Sequence, residues 1–370
     1  MRVQLLGLRN RIIGSRAFQR HAAANPLLRP IARRRAAALF DLVAGFSYTQ
    51  VLLAAVESGC VELLAQGPIE AADLARHAGL SEDASLRLLR AAAAIGIAQE
   101  VRSGSGGPGW MLGRHGAALR GNEGALAMIR HHRLLYADLA DPLELLRRDR
   151  LESTALSRFW TYARDAEAGG DREASAYSQL MSASQAAVSD EVLAAHDFSR
   201  HRALLDIGGG HGAFLMAAGG ACPNLDLGLF DLPDVVSGAR EALAARLGAG
   251  RVALHSGSFL TDELPRGYDC VSLVRILHDH DDEPAMRLLG NIRAAIEPGG
   301  TLVIAEPLAG TRGAEAMGDG YFGLYLWAMG SGRPRKVSEI RAMLRHAGFA
   351  KSRCVATRQP LIASMIVAQA

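Results

Sequence analysis

The chain of 370 residues contains little lysine, little cysteine and few aromatic side chains. Lys336 and Lys351 are the only lysines among 41 basic residues, and aromatic residues make up 5% of the sequence. The four cysteines are scattered, with no CxxC pair and no spacing typical of a metal site, which argues against a disulfide framework or a zinc module. We expect reduced thiols in a cytoplasmic protein. The net charge of +3 does not favour nucleic-acid binding.

Acidic residues are absent from the first 40 positions, which hold nine arginines. Leu, Ile and Phe lie between these arginines, a composition typical of a segment that contacts an anionic membrane surface. A flexible, solvated arm is the alternative interpretation. No uninterrupted apolar run reaches the roughly 18 residues of a membrane span, and the pattern of a signal peptide is missing. We therefore expect any membrane contact to be peripheral.

Three regions follow this basic arm of residues 1–35, and their patterns differ. Residues 36–124 predict helices followed by a glycine-rich hairpin, which is the order of a winged helix. Residues 125–200 predict a helical connector. In residues 201–370, short apolar runs alternate with helical stretches, which predicts an α/β domain with a mostly parallel sheet. A winged helix leaves a DNA-binding regulator as an alternative, although the broad apolar helix faces favour packing across a dimer.

The most distinctive stretch is LLDIGGGHGAFL, in which glycines follow a predicted strand. Gly208, Gly210 and Gly212 permit a ligand to approach the backbone beside the start of a helix. Asp231 ends the next predicted strand and can accept hydrogen bonds from the hydroxyls of a ribose. Asp206 would attract a positively charged group and repel a pyrophosphate. The pattern therefore favours S-adenosylmethionine over NAD as the cofactor.

A candidate base follows another predicted strand, in the stretch LVRILHDHDDEP. His278 carries an imidazole, a group whose ordinary pKa of about 6.5 suits proton abstraction near neutral pH. Glu306 ends the strand TLVIAEPL and would hold that imidazole in one tautomer. The acids after His278 leave a metal site as an alternative. They lack a clear ligand frame, and we expect them to cap the following helix.

These motifs together resemble the S-adenosylmethionine-dependent small-molecule O-methyltransferases of the caffeate and acetylserotonin type. LLDIGGGHG, FDLP, ILHDHDDE, EPGGTLVIAEPL and MLRHAGF match in order and spacing. YADLADPLELLR, YSQLMSASQ and YLWAMGSGRPR resemble more closely the hydroxyneurosporene, or demethylspheroidene, O-methyltransferases of carotenoid synthesis. The bacteriochlorophyll-ring C-methyltransferases are the nearest alternative. The resemblance implies a Rossmann-like class I methyltransferase domain with a mostly parallel seven-stranded sheet. It also implies an N-terminal winged-helix dimerisation domain, and hence a homodimer.

The resemblance assigns further residues to the site. It adds Leu232, Ser258, Phe259 and Arg275 to the cofactor-binding residues, with the second and third of these at the adenine. The family often has aspartate where Ser258 stands, so Ser258 is a departure from the family pattern at the adenine. A second glutamate beside the base is expected near GRPRK, where Pro334 stands instead. A clamp of two carboxylates on the base is therefore predicted to be absent.

The implied acceptor is the C-1 hydroxyl of an acyclic hydroxycarotenoid, a tertiary alcohol on a long polyene. Because a tertiary alcohol is far less acidic than a phenol, loss of the hydroxyl proton should accompany or follow the attack of the oxygen on the methyl group. The main contribution of the enzyme should then be to position the reacting atoms.

The pocket that holds the polyene should be mostly apolar. Aromatic and methionine residues at helical spacing more often belong to the hydrophobic core than to a binding pocket, and this is the alternative interpretation. The candidates for the pocket lining are Tyr136, Phe159, Trp160, Met181, Phe322, Tyr325 and Met329. A lipid-borne substrate would give the basic arm a purpose, docking at the inner face of the membrane.

Overall fold

A computed structural model describes residues 2–102, 106–150, 152–164 and 184–370. The chain divides into two compact units, Met1–Gly121 and Asn122–Ala370. Each unit has its own secondary structure and is described by itself.

The first unit is helical apart from one hairpin. Its helices are α1 (Arg2–Gly14), α2 (Arg16–Ala24), α3 (Arg29–Glu57), α4 (Cys60–Leu64), α5 (Ala71–Ala78), α6 (Glu82–Ala94) and α7 (Arg114–Leu119). Strands β1 (Ala98–Arg102) and β2 (Pro108–Leu112) pair antiparallel between α6 and α7. Ser81 caps α6, because its hydroxyl accepts a hydrogen bond from the Ala84 N–H at 3.2 Å. The order of α5, α6 and hairpin agrees with the predicted winged helix.

The N-terminal residues form helices rather than an irregular arm, and almost all of them are exposed. Ser15 caps α2, and its hydroxyl accepts a hydrogen bond from the Phe18 N–H. Arg29 donates hydrogen bonds to the carbonyls of Ala23 and Ala24 at 3.1 and 2.9 Å, which holds the turn between α2 and α3. The domain boundary expected between residues 35 and 36 falls inside α3, because the arginine-rich stretch continues the same helix.

Helix α3 is long and apolar enough to cross a membrane, judged by length and composition alone. An 18-residue stretch of this helix has a mean hydropathy of 1.6, and 17% of that stretch is buried. The search for an uninterrupted apolar run did not identify α3, because Asp41, Ser47 and Gln50 interrupt its apolar sequence. Exposed apolar side chains along α3 include Leu39, Phe40, Leu42, Val43 and Phe46. An apolar surface of this extent indicates a contact surface for a partner or a membrane.

The second unit contains nine helices among its described residues. They are α8 (Glu123–Asp138), α9 (Pro142–Arg147), α10 (Ala155–Arg164), α11 (184–195), α12 (Ala213–Ala221), α13 (Pro233–Leu247), α14 (Asp282–Ala295), α15 (Gly323–Met329) and α16 (Val337–His346). Two 3₁₀ turns cover Phe198–Arg200 and Leu277–Asp279, and a π-helical turn, Ala316–Phe322, leads into α15. The boundary expected between residues 124 and 125 falls inside α8.

A seven-stranded sheet organises this unit. Its strands are β3 (Ala203–Ile207), β4 (Asp226–Asp231), β5 (Val252–Ser256), β6 (Cys270–Val274), β7 (Thr301–Glu306), β8 (Lys351–Val355) and β9 (Ser364–Gln369). The order across the sheet is β5-β4-β3-β6-β7-β9-β8, and only the β9 pairings are antiparallel. The predicted mostly parallel sheet, closed by a C-terminal hairpin, is confirmed.

The strand order creates a crevice at one edge of the sheet. β3 lies between β4 and β6, so the chain leaves β3 for one side and returns to its other side. Such a switch point opens a ligand-binding crevice at the carboxyl ends of the strands. Strands β3 and β6 are buried along their whole length, in keeping with a sheet covered on both faces. The residues that carry the predicted chemistry follow β3, β4, β6 and β7 at this edge.

Candidate active site

The glycine loop joins β3 to α12. Gly208, Gly210 and Gly212 have φ angles of 69°, 58° and 77°, in the left-handed region that favours glycine. A Cβ built on Gly210 would meet no atom within 4 Å, whereas one on Gly209 would lie 2.4 Å from Asp206 Oδ2. The loop therefore leaves open space at Gly210, where a ligand can reach the backbone.

Asp231 at the end of β4 supports this loop. Its Oδ2 accepts a hydrogen bond from the Gly210 N–H at 2.8 Å, and its Oδ1 accepts one from the Leu232 N–H at 2.8 Å. Burial raises the pKa of Asp231, and these two backbone hydrogen bonds offset part of that rise. Each carboxylate oxygen keeps a free lone pair, which is what two hydroxyls of a ribose require. Leu232 is the N-cap residue of α13 and is 36% exposed.

Asp206 is buried beneath the loop, with 1% of its surface exposed. Its Oδ1 accepts a hydrogen bond from the Ser272 hydroxyl on β6 at 2.5 Å, but its Oδ2 has no partner among the described residues. Burial raises the pKa of Asp206 to about 7, although the Ser272 hydrogen bond opposes this rise. An unpaired buried carboxylate oxygen is unfavourable, so it suits a cationic or hydrogen-bonding ligand. Nothing in the sequence singled out Ser272 as the partner.

Ser258 and Phe259 lie in the turn after β5. The Ser258 hydroxyl accepts a hydrogen bond from the Leu260 N–H at 3.3 Å, and its N–H donates to Asp262 Oδ2 at 2.8 Å. The Phe259 ring packs edge-on against His280, with the ring centroids 5.3 Å apart. The Ser258 hydroxyl thus stabilises the turn in which it lies. The adenine contacts of Ser258 and Phe259 stay a prediction.

Arg275 stands where the chain leaves β6. Its φ of 60° makes it the only non-glycine residue with positive φ in the described part of the chain. Its N–H donates to the Ala305 carbonyl at 2.8 Å, and its Nη1 donates to the Ser184 hydroxyl at 2.9 Å. Backbone conformations of this kind cluster at functional sites. Here the strained residue directs the chain from the strand into the turn that carries His278.

His278 lies in the 3₁₀ turn after β6 and is 6% exposed. Its Nδ1 forms a hydrogen bond with Glu306 Oε2 at the end of β7. Glu306 Oε1 accepts hydrogen bonds from the N–H groups of Ile276 and Leu277, at 3.1 and 2.7 Å. One carboxylate therefore holds both the turn and the ring. A carboxylate beside Nδ1 keeps the proton of a neutral imidazole on that nitrogen and leaves the Nε2 lone pair free.

A second carboxylate lies on the other side of the ring. His278 Nε2 is 3.2 Å from Asp279 Oδ1. Pro334 does stand where a second glutamate was expected, but the prediction that His278 has no second carboxylate is wrong, because the adjacent residue supplies one. Burial lowers the pKa of His278, but Asp279 and Glu306 outweigh it and raise this pKa above its ordinary value. Sequence reasoning assigned Asp279 to a helix cap, since the path of the turn cannot be read from spacing.

Arg335 holds the turn that carries His278 through hydrogen bonds to its backbone, a role that the sequence analysis did not predict. This side chain is 2% exposed and donates hydrogen bonds to the carbonyls of Leu277 and His280, both at 2.7 Å. It also pairs with Asp282 at 2.8 Å. Arginine is rarely buried unless it is paired in this way. In the sequence, Arg335 looks like one of several exposed cations in GRPRK.

An aromatic cluster adjoins the base. The Phe322 ring meets the His278 ring edge-on, with centroids 5.9 Å apart. The Tyr321 hydroxyl lies 2.7 Å from His132 Nε2, and the Tyr136 ring lies 6.0 Å from the His132 ring. Tyr136 and Phe322, both predicted for the pocket, are thus brought into one connected set with the base.

The same cluster continues through Tyr325. The Tyr325 hydroxyl accepts a hydrogen bond from Trp160 Nε1 at 3.2 Å and lies 2.8 Å from His131 Nε2. The Phe159 ring packs on His131 with centroids 4.7 Å apart. Met329 is buried in the hydrophobic core beside Tyr325, which is the plain-core alternative. Met181 lies outside the described residues.

Two family models match this chain. One, described as the O-methyltransferase domain, covers residues 136–350, and the other, the O-methyltransferase dimerisation domain, covers residues 40–119. The chain belongs to the O-methyltransferase family. The predicted resemblance and fold class are confirmed, and a DNA-binding regulator is not supported. The dimerisation domain supports a homodimer.

Individual proteins resemble this O-methyltransferase over most of its length. Demethylspheroidene O-methyltransferase of Cereibacter sphaeroides is 40% identical over 97% of this chain and 93% of its own. The enzyme of the same name from Rhodobacter capsulatus is 41% identical over 93% of this chain and 84% of its own. Among solved structures, the calicheamicin-biosynthesis methyltransferase CalO1, in its SAH-bound form, is 27% identical with a TM-score of 0.74, covering 90% of this chain and 98% of that one.

A separate cluster of this O-methyltransferase lies at the amino ends of β3 and β6. His196, His201 and Cys270 place one potential metal ligand each within 4.8 Å of the others. The Nε2 atoms of the two histidines are 2.9 Å apart, and His201 Nδ1 lies 3.3 Å from Asp269 Oδ2. Burial lowers the pKa of His196 to about 4. A hydrogen bond between the two imidazoles accounts for this contact without an ion.

Proposed function

We propose that this O-methyltransferase transfers a methyl group from S-adenosylmethionine to the C-1 hydroxyl of an acyclic hydroxycarotenoid, which yields a methoxy end group. The observation that carries the reaction is the buried His278–Glu306 pair at the same sheet edge as the open glycine loop. The two relatives named for demethylspheroidene, each at least 40% identical, support the acceptor.

The residues of the crevice fit S-adenosylmethionine. The open space at Gly210 receives the ligand against the backbone, and Asp231 has free lone pairs for the ribose hydroxyls. The unpaired Oδ2 of Asp206 suits the cationic ammonium of the methionine part, directly or through water. We assign Leu232, Phe259 and Arg275 to the same ligand, as the family resemblance implies.

When bound, S-adenosylmethionine supplies a methyl group made electrophilic by its sulfonium, whose bond to sulfur breaks as the acceptor oxygen attacks. His278 takes the hydroxyl proton on Nε2, because Glu306 keeps the other proton of the ring on Nδ1. Glu306 then stabilises the imidazolium that forms. Since a tertiary alcohol does not ionise beforehand, the larger contribution is to hold the oxygen in line with the methyl group.

The aromatic cluster suits an uncharged polyene. Burial lowers the pKa of His131 to about 4 and also lowers that of His132, so both rings are neutral at physiological pH. Burial raises the pKa of Tyr321 and Tyr325, so both phenols stay protonated. Their polar atoms pair with one another, which leaves mainly ring surface to a ligand. An apolar lining with few free polar groups suits a hydrocarbon chain with one hydroxyl end.

Mass analysis of products tests this proposal. Purified protein, S-adenosylmethionine and a 1-hydroxycarotenoid should give a product that carries one additional methyl group, bonded to oxygen. Calorimetry should show binding of S-adenosylmethionine and none of NAD. Methylation at a carbon of a bacteriochlorophyll precursor, with the carotenoid untouched, would replace this acceptor by the alternative one.

The base assignment has its own test. His278→Ala should slow turnover by roughly 10²–10⁴-fold, the usual contribution of general base catalysis. The dissociation constant for S-adenosylmethionine should stay within a few-fold of the wild-type value, because the contacts of the ring are with Glu306, Asp279 and Phe322. Unchanged turnover would remove His278 from the chemistry.

We further propose a cytoplasmic location at the inner face of the membrane. The cysteines Cys60, Cys222, Cys270 and Cys354 are free thiols, which suits a reducing compartment. The acceptor is soluble in lipid rather than in water, so the enzyme must meet it at a bilayer.

A further inference from the structure

The first two helices and the start of α3 carry an unbalanced positive charge. All nine arginines of residues 2–35 are exposed, and no acidic residue precedes Asp41. None of these arginines forms an ion pair with any described residue of the chain. Their charge is therefore available to an external anionic partner.

Large apolar side chains are exposed among these arginines. They are Val3, Leu5, Leu6, Leu8, Ile12, Ile13, Phe18, Leu27 and Ile31. Val3 and Leu27 are more than 80% exposed, at 81% and 84%. Exposed apolar residues of this density mark an interaction site. We call residues 2–35 the basic apolar surface.

The dimerisation domain does not account for this surface. Its family model begins at residue 40, and the O-methyltransferase domain begins at residue 136. A two-fold contact through residues 2–35 would place the same positive patch against itself, which repulsion disfavours. A second copy of the chain is thus a poor occupant for residues 2–35, although it suits the apolar part of α3 that follows.

We propose that the basic apolar surface docks on a bilayer that contains anionic lipids. Leucine, isoleucine and phenylalanine side chains enter the boundary between headgroups and acyl chains, while the arginine stems extend along it and keep their charges at the phosphates. Nucleic acid offers the phosphates but no apolar phase, so the exposed apolar residues favour lipid. The reason for docking rests on the proposed function, because a lipid-soluble acceptor must be taken from the bilayer.

The turn between α2 and α3 gives this surface a defined shape. Asn25 Oδ1 accepts hydrogen bonds from the N–H groups of Leu27 and Leu28, at 2.9 and 3.3 Å. Arg29 closes the end of α2 through the carbonyls of Ala23 and Ala24. The turn is thereby fixed with Leu27 at its exposed tip, so less ordering entropy opposes docking than for a disordered tail.

Vesicle sedimentation with the full chain tests docking without any carotenoid or methyl donor. The probes are vesicles of phosphatidylcholine alone and vesicles of equal parts phosphatidylcholine and phosphatidylglycerol. We expect binding to the anionic vesicles only, weakened by added salt. Each arginine near the surface strengthens binding roughly five-fold, so Arg33→Gln, Arg34→Gln and Arg35→Gln together should weaken it about 100-fold.

A matched control removes the same charge elsewhere. Arg240, Arg246 and Arg345 are exposed and lie outside the basic apolar surface, and their triple replacement by glutamine should leave vesicle binding unchanged. Equal binding to both vesicle types, equal loss in both triple variants, or no binding by the wild-type chain would overturn the proposal. So would tighter binding to duplex DNA than to anionic vesicles, or loss of the dimer in the arginine 33–35 variant.

Failure of the acceptor assignment gives a different result. The arginine 33–35 variant should methylate a detergent-solubilised hydroxycarotenoid as the wild type does, and lose activity only on carotenoid held in anionic vesicles. If neither protein methylates the carotenoid in detergent while vesicle binding follows the expected pattern, the acceptor is wrong and the docking surface stands.

Discussion

Replacing Glu306 by glutamine should hold His278 in the wrong tautomer. Glu306 Oε1 accepts hydrogen bonds from the N–H groups of Ile276 and Leu277, at 3.1 and 2.7 Å. In Glu306→Gln only the amide oxygen can accept them, so the amide NH₂ must face His278 Nδ1. Because both amide hydrogens are donors, Nδ1 must then accept, and the proton of the neutral ring moves to Nε2. That nitrogen can no longer receive a proton from the acceptor.

The expected loss follows from two contributions. To react, the variant must return the proton to Nδ1 against an N–H donor, which leaves a buried hydrogen bond unmade at about 1–3 kcal/mol. It also lacks the hydrogen bond from a carboxylate to the developing imidazolium, worth about 1.5–3 kcal/mol. The sum of about 2.5–6 kcal/mol corresponds to a decrease in kcat of roughly 10²–10⁴-fold.

Single-turnover kinetics with detergent-solubilised hydroxycarotenoid measures this loss, and calorimetry measures S-adenosylmethionine affinity in parallel. The affinity should change by no more than a few-fold. Glu283→Gln is the matched control, since Glu283 is exposed and pairs with Arg287 on the same helix, α14. If Glu306→Gln kept kcat within a few-fold of wild type while folded, the assignment of the Nδ1 proton to Glu306 would be refuted.

Three further predictions test the rest of the site. Gly210→Ala should weaken S-adenosylmethionine binding. Gly250 also has a positive φ, 76° against 58° at Gly210, and open space around a Cβ, so Gly250→Ala should share the stability cost of about 1–2 kcal/mol without the binding loss. Equal affinities in the two variants would contradict the loop assignment. Asp279→Asn removes a charge that raises the pKa of His278, so the acid limb of the kcat/KM profile should move to lower pH, and a limb that stays in place would exclude the contact. Arg335→Leu leaves two carbonyls of the catalytic turn unpaired, at a cost of about 1–3 kcal/mol each, and should lower both the melting temperature and kcat. Arg335→Lys should recover part of both losses. If Arg335→Leu kept the wild-type kcat, the catalytic turn would not need the hydrogen bonds of Arg335.

The fold was predictable where the hydrophobic pattern of a segment agrees with the pairing of that segment in the sheet. Alternating apolar runs and helical stretches after residue 201 predict parallel strands, and the structure has them in that order. The boundary at residue 35 was not predictable from composition, because a change from arginine-rich to alanine-rich sequence alters the surface of α3 and not its helical conformation. Composition reports what a helix faces, whereas its ends depend on caps and on the turn that Arg29 closes.

The site was predictable where one residue type must occupy the end of a strand. Asp231 and Glu306 end β4 and β7, and His278 lies in the turn just after β6, so their meeting at one edge follows from the topology. Asp279 and Arg335 were not predictable as partners of the base, since one depends on the path of a single 3₁₀ turn and the other on a segment that returns from beyond α15. Such contacts join residues whose separation in sequence carries no periodic signal.

Of the two carboxylates beside His278, one is held in place and the other can move away from the ring. This difference suits a weakly acidic acceptor. Glu306 is buried and bonded to two backbone N–H groups, so it cannot leave Nδ1. The Asp279 side chain is 27% exposed and faces Nε2, the nitrogen that must meet the acceptor hydroxyl. An acceptor that enters must displace Asp279, which removes one of the charges that raise the pKa of His278. At a pH below the pKa of the free enzyme, the ring then releases its additional proton and becomes a neutral base as the acceptor binds. We therefore expect acceptor binding to release a proton to the buffer below the pKa of the free enzyme, and Asp279→Asn to abolish that release.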